Sequence, residues 1–348
     1  MSLDVMRGVI MLLLAAESCM VWHALHNVEP VQPFAALVDQ FFHHPWHGLT
    51  FWDLVQPSFM SMAGAALYIS YSRKIAKGET WKGNWNHILL RSLKLFICGT
   101  ALHCVYAGKP VWELWNVLTQ LSITTLIAYL IINKGYIWQL IFTIGLLALT
   151  AIMYCFILMP GFDQPYVQYH NFGAYFDTLV MGKINQDGWV TINFIPTAAH
   201  TIWGVLAGKL LVSNKTSYYK IKALLIAGVI ALAIGFGLDA AGIIPIIKRI
   251  STVSFVFASG GWVLIMLALT YWLVDVKQNI KHAWWFTVMG MNAIFIYLFF
   301  ETVGMQWLNG VVDIFTGQML HAFLGVPEKI ATLVSALAAL FAEWSLCY

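Results

Sequence analysis

The feature that most limits what this chain can fold into is a recurrence: stretches of roughly twenty residues, apolar on every face, come ten times. They fall at about residues 5–22, 54–71, 88–106, 114–132, 136–158, 194–212, 221–238, 253–274, 284–301 and 330–346. A helix needs about 20 apolar residues to cross the hydrocarbon core of a bilayer. The runs are continuous, not alternating, and lipid tolerates no unpaired backbone, so helices are the structure that suits them. Composition agrees: 60% of the residues are hydrophobic and 10% charged, against about 25% charged in soluble domains. The expected fold is all-α, a polytopic integral membrane protein of about ten transmembrane helices in one domain spanning residues 1–348. No tandem repeat, soluble domain or low-complexity linker interrupts it. The first run follows Asp4 and Arg7 without a small-residue cleavage site, which reads as a retained helix. Segment 309–323 is too polar to span and is expected to be interfacial or re-entrant.

Charge gives the orientation. The net charge of +3 is too small to point to nucleic acid. Of the 19 Lys and Arg residues, Lys109, Lys183, Lys248, Arg249 and Lys329 fall on one set of loops and the other fourteen on the opposite set. Basic residues stay cytoplasmic, so both termini are expected inside, with long outer loops at 22–53 and 160–193. Histidines run the other way: only His87 and His282 are clearly inner, and His200 lies within the sixth run. The cysteines (Cys19, Cys98, Cys104, Cys155, Cys347) are scattered without a CxxC, neither a disulfide framework nor a zinc site.

Polar groups within spans are costly, and each is a functional hypothesis by default, with interhelical hydrogen bonding as the alternative. Glu17, Ser18, Asp53, Gln120, His200, Asp239, Asn292 and Glu301 are such groups. The densest constellation is His43-His44-Pro45-Trp46-His47-Gly48-Leu49-Thr50-Phe51-Trp52-Asp53, at the entrance to the second run. Pro45 and Gly48 place the imidazoles on a turn. Three readings compete: surface histidines between interfacial tryptophans, a metal site, or acid–base and nucleophilic work, in which a carboxylate orients an imidazole. Metal binding needs several converging ligands, and no HxxxH helix or cysteine pair supports it.

Ser2-Leu3-Asp4-Val5-Met6-Arg7-Gly8 resembles the SxDxxRG start of the heparan-α-glucosaminide N-acetyltransferase family of transmembrane acyltransferases. The His-rich turn resembles that family's HxxWxGxxxxDxxxPxF signature, running from His43 through Trp46, Gly48, Asp53 and Pro57 to Phe59. Pro196-Thr197 with Thr201 to Gly208, Lys248-Arg249, Ser254-Phe255, Tyr271 to Asp275 and Gly290 to Ile294 complete an ordered set. The resemblance implies acetyl-CoA as cytoplasmic donor and the amine of a terminal glucosamine or related glycan as acceptor on the other side. It implies a prokaryotic-type member without the large extracytoplasmic N-terminal domain, in the bacterial cytoplasmic membrane. The family's active-site histidine stands three positions before the signature Trp, which here is His43; His44 is one residue out of register. The family also uses an Asn before that histidine. Here, ungapped from Asp4, Ser18 stands in its place with Glu17 beside it, and the outer loop is longer.

Such chemistry sets requirements. An amine must lose its proton before attacking a thioester, a task for His43 with Asp53 nearby, and the acyl group can instead rest on His43. The oxyanion needs donors in a dry site; Ser18, Asn292 and Thr50 are candidates. Glu17, Trp46 and His47 are candidates for acceptor binding. The CoA phosphates need cations near the inner face, for which Arg91, Arg7, Lys94 and Lys209 are candidates, with Asn292 beside them; each cation also fits plain positive-inside topology. The expected partners are the glycan acceptor and membrane lipid, and a homodimer is one assembly open to such a chain. An O-acyltransferase acting on a cell-envelope polysaccharide and a secondary transporter are the rival readings. A transporter would show internal repeats with paired broken helices.

Overall fold

The computed structural model describes residues 1–279, 281 and 283–347; His282 lies outside the described residues. In chain order the α-helices are α1 (Ser2–Ser18), α2 (Val21–Asn27), α3 (Phe34–Asp39), α4 (Val55–Ala76), α5 (Trp85–Ala107), α6 (Val117–Ile131), α7 (Tyr136–Phe156) and α8 (Phe172–Met181). They continue with α9 (Phe194–Val212), α10 (Ser217–Ala240), α11 (Val253–Tyr271), α12 (Trp284–Met291), α13 (Ala293–Phe299), α14 (Asn309–Phe315), α15 (Gly317–Leu324) and α16 (Glu328–Cys347). Phe300–Leu308 is a π-helix. No β-strand occurs among the described residues.

Among the described residues six helices are long and apolar enough to cross a membrane: α5, α7, α9, α10, α11 and α16. Two bent pairs bring the number to 8 if each is one span. The first pair is α1 with α2, bent by 58° where Met20 takes a positive φ. The second breaks at Asn292, where α12 meets the following helix at 82°. The sequence therefore marks a continuous span at 284–301 where the structure has a sharp bend. Of the other two runs, α6 is a 15-residue helix. The remaining one, α4, has 22 residues and carries Gln56, Ser58 and Ser61. It buries Pro57 to Met62 inside the protein, where a polar face meets protein and not lipid.

The chain divides into two compact units. One comprises Met1–His43, Thr50–Trp52 and Leu273–Tyr348; the other comprises His44–Leu49 and Asp53–Trp272. In the first, α1 packs on α12 so closely that a Cβ on Gly8 would land on the Phe286 carbonyl. Arg7 Nη1 donates to Asp4 Oδ1 (3.3 Å) and to the Gly290 carbonyl (3.2 Å), and the Ser2 amide donates to Asp275 (3.3 Å). The opening motif is thus a packing seam.

In the second unit α4 and α9 touch backbone to backbone. A Cβ on Gly64 would strike the Thr201 carbonyl, and one on Gly204 the Ser61 carbonyl, the small-residue contact that membrane helices use in place of a hydrophobic drive. Helices α6, α8, α10 and α11 start at side-chain caps, respectively Asn116, Asn171, Thr216 and Thr252. The 160–193 loop is tied down by polar bonds. Asp177, pushed up to about 6 by burial, accepts from Trp115 Nε1 (2.6 Å) and the Thr191 amide (3.0 Å). Glu113 joins His103 (2.7 Å) to Lys183 (2.6 Å). Burial opposes its charge, but those two partners outweigh that and hold the carboxyl below its ordinary range.

Candidate active site

Residues 43–50 form an irregular turn without helix, as Pro45 and Gly48 require, and a 3-10 turn over Phe51–Leu54 leads into α4. The predicted site residues fall into two groups along the division between the units.

In the first unit His43 is exposed, and its ring tilts over Trp52 at 6.3 Å. Trp52 is buried beside Trp22, which stacks on Phe41 at 4.1 Å. His23 and His26 meet Phe42 edge-on at 5.2 and 5.5 Å. The result is an aromatic floor carrying three imidazoles. The α1–α2 bend brings polar groups to the same neighbourhood: Glu17 Oε1 lies 4.0 Å from His23 Nδ1. Ser18 Oγ donates to Glu301 Oε1 (2.9 Å), and Asn309 Nδ2 donates to the Ser18 carbonyl (2.7 Å). Glu17 and Glu301 repel each other electrostatically. Four buried polar atoms here have no hydrogen-bond partner: Glu17 Oε2, Trp22 Nε1, His23 Nδ1 and Asn309 Oδ1. Buried polar groups are almost always satisfied, and this neighbourhood gathers four that the protein itself leaves unpaired. Thr50 is occupied with the Phe42 carbonyl (2.7 Å), and Asn292 sits at the α12–α13 break.

In the second unit Asp53 is buried and pairs with buried Lys248, Oδ1 to Nζ 3.5 Å; Oδ2 accepts the His44 amide at 3.4 Å. Burial pulls the Lys248 ammonium down to about 8, against the opposing pull of Asp53. Sequence reading gave Asp53 the task of orienting an imidazole, and the structure adds a buried cation as its partner. His44 packs where a Gly48 side chain would stand, and its Nδ1 is buried without a hydrogen-bond partner. His47 Nε2 meets Asp239 Oδ1 at 2.6 Å, and that oxygen also accepts the Ile246 amide (2.9 Å). Here the carboxylate-oriented imidazole is His47. Trp46 Nε1 donates to the Tyr166 carbonyl (2.8 Å), so its polar edge is spent on the fold.

For the donor, Arg91 is half-buried and Lys94 exposed, one turn apart on α5. Arg7 is engaged in the α1–α12 seam. Lys209 donates to the Lys134 carbonyl (3.1 Å) and lies over the Tyr136 ring. No group of three or more His, Cys, Asp or Glu among the described residues converges as a metal would need.

The partners of Ser18 and Asp53 lie far away in the chain. Glu301 was visible as a carboxylate at a span end, but its pairing with Ser18 crosses 283 positions. Lys248 stands out in the sequence as a basic outer-loop residue and as part of the Lys248-Arg249 match, but its pairing with Asp53 crosses most of the chain.

A search of curated proteins finds no match. The profile of the family described as heparan-alpha-glucosaminide N-acetyltransferase, catalytic, matches residues 1–243. That stretch holds the α1 seam, Glu17, Ser18 and the whole His-rich turn, and is well over half of the 348 residues. The chain therefore belongs to the heparan-alpha-glucosaminide N-acetyltransferase catalytic family, a family of transmembrane acetyltransferases.

Proposed function

We propose that this protein moves an acetyl group from cytoplasmic acetyl-CoA to the amine of a terminal glucosamine or related glycan on the far side of a bacterial cytoplasmic membrane. The observation that carries this reading is the set of orphaned polar atoms around Glu17 and Asn309, beside the aromatic floor that holds His43. Aromatic faces suit the apolar faces of a sugar ring. The carboxylates of Glu17 and Glu301 suit an ammonium better than a neutral hydroxyl, which favours an amine acceptor over an alcohol.

The chemistry then runs in order. The acceptor arrives as an ammonium and docks on Glu17. His43 takes a proton, and the neutral nitrogen attacks the thioester carbonyl. As the N–C bond forms, the C–S bond breaks; the nitrogen gives up its second proton, which goes to the departing thiolate to leave the CoA thiol. Ser18 becomes a donor to the oxyanion once its hydroxyl proton turns away from Glu301, to which it donates in the structure. The acyl group resting on His43 as an acyl-imidazole gives the same products in two steps. Arg91 and Lys94 meet the CoA phosphates from the inner side. The fourteen-to-five distribution of basic residues supports both termini inside, and one crossing by the first helix from an inner N-terminus leaves the His-rich turn outside.

The test is acetyl transfer from labelled acetyl-CoA to glucosamine by purified variants of matched thermal stability. Loss of a working base lowers rate by about 100- to 10,000-fold, so His43→Ala should lose measurable transfer and keep CoA binding. Glu17→Gln should raise KM for glucosamine. Wild-type turnover in both His43→Ala and His44→Ala would remove the reading.

A further inference from the structure

The second unit contains a cavity of about 1060 Å³ that the proposed transfer does not use. It lies among α7, α9, α10 and α11, and its two ends differ in chemistry. One end gathers Lys209 in the last turn of α9, Lys215 in the loop after it, and the rings of Tyr68, Tyr136 and Tyr219. Lys209 Nζ sits 4.8 Å from the centre of the Tyr136 ring, and Lys215 Nζ 5.5 Å from that of Tyr219. No carboxylate among the described residues pairs with either ammonium. From there the walls are apolar, with Leu140 and Ile144 on α7 facing Ile230 and Ile234 on α10.

The dimensions fit one kind of molecule. Tyr219 and Ile234 both line the cavity, and fifteen helical residues at about 1.5 Å each separate them by about 22 Å. That approximates one leaflet, about half of a 30 Å hydrocarbon core plus the headgroup layer. Ala223, Ala227 and Ala231 recur at four-residue spacing along the wall, so the α10 face presents only small side chains to the cavity there. Pantetheine or a sugar would need hydrogen-bond partners along this length. The wall hydroxyls of Thr143 and Ser213 are already given to the Gln139 and Leu210 carbonyls (2.9 and 2.6 Å). Two ammonium groups without a carboxylate partner, at the polar end of an apolar trough, complement a phosphate on an alkyl tail.

We propose that this groove holds an anionic membrane phospholipid, its acyl chain along the alanine stripe of α10 and its phosphate between Lys209 and Lys215. The occupant is bound from within the membrane and is distinct from donor and acceptor. Lys209 then serves the lipid and not CoA.

Native mass spectrometry of the full-length protein in detergent tests this, with added phosphatidylglycerol or phosphatidylcholine as probes. Wild type should retain phosphatidylglycerol about 30-fold over phosphatidylcholine, the preference that two lysines near a headgroup supply. Lys209→Ala with Lys215→Ala should abolish the preference. Ala227→Phe, at an exposed position where the fold has room, should lower retention of both lipids. The proposal is overturned if wild type shows no preference, if the double lysine variant keeps it, or if Ala227→Phe retains lipid as wild type does. It is also overturned if saturating coenzyme A displaces the lipid, since the groove would then belong to the donor. Loss of acetyl transfer in the His43 variants would leave this result untouched.

Discussion

Removing either partner of the Asp53–Lys248 pair should destabilise the protein, with opposite pH dependence for the two single variants. Both side chains are buried, with 1% and 7% exposure, and breaking such a pair typically costs several kcal/mol. In Lys248→Met a carboxylate is left buried without its cation. Its folded pKa rises above the unfolded value of about 4, the folded state holds more protons, and stability falls as pH rises. The penalty cannot exceed the cost of simply protonating the group, about 4 kcal/mol at pH 7 and between 1 and 2 at pH 5. In Asp53→Asn the lysine is left alone. Its folded pKa is about 8 already, against about 10.4 unfolded, so burial costs about 3 kcal/mol at pH 7 in the wild type. Full deprotonation at pH 7 would cost roughly 4 to 5 kcal/mol, so the variant adds at most about 1.5 kcal/mol from the lysine, and that addition fades by about pH 9. Acid should therefore rescue Lys248→Met, and alkali should rescue Asp53→Asn. Thermal unfolding of detergent-purified variants, followed by tryptophan fluorescence from pH 5 to 9, reads both trends. Parallel pH profiles, or additive losses in a double variant Asp53→Leu with Lys248→Met, would show that the two groups do not sense each other.

Three further outcomes follow from other parts of the fold. Asp177 takes its proton near 6, about two units above an unfolded aspartate; the folded state binds the extra proton, so wild type should gain stability as pH falls from 7 to 5, and equal gains in Asp177→Asn would contradict this. Gly204→Leu drives a side chain into the Ser61 backbone and should cost about 3 kcal/mol or more, whereas Gly237→Leu has open space; equal yields of monodisperse protein would refute the α4–α9 contact. Lys77→Cys should resist an impermeant thiol reagent in intact cells and react after permeabilisation; labelling in intact cells would reverse the orientation.

Much of this was legible in the sequence because lipid is a harsh solvent. Apolar runs near 20 residues can be little else than helices, and all ten stretches contain helix, although the bends at Met20 and Asn292 left no trace in hydropathy. Pro45 and Gly48 fixed the turn that carries His43, His44 and His47. The pairings were not legible, because they join residues far apart in the chain. Ser18 meets Glu301, Asp53 meets Lys248 and His47 meets Asp239. A motif also does not reveal which of its residues are chemical. Arg7 and Gly8 read as signature residues, and in the fold they close a helix seam. Lys209 reads as one more inner lysine, and only its place at the mouth of an apolar groove gives it a ligand class.

Transfer across a bilayer can be read in sided proteoliposomes. Protein is reconstituted, and vesicles exposing the Lys77 loop outward are selected by capture through a tag on that loop. Labelled acetyl-CoA is then added outside, with glucosamine enclosed. Labelled N-acetylglucosamine should accumulate inside while free CoA appears outside, and His43→Ala vesicles should form neither. Product found only when both substrates share a compartment, or no acetylated amine in either arrangement, would contradict the account.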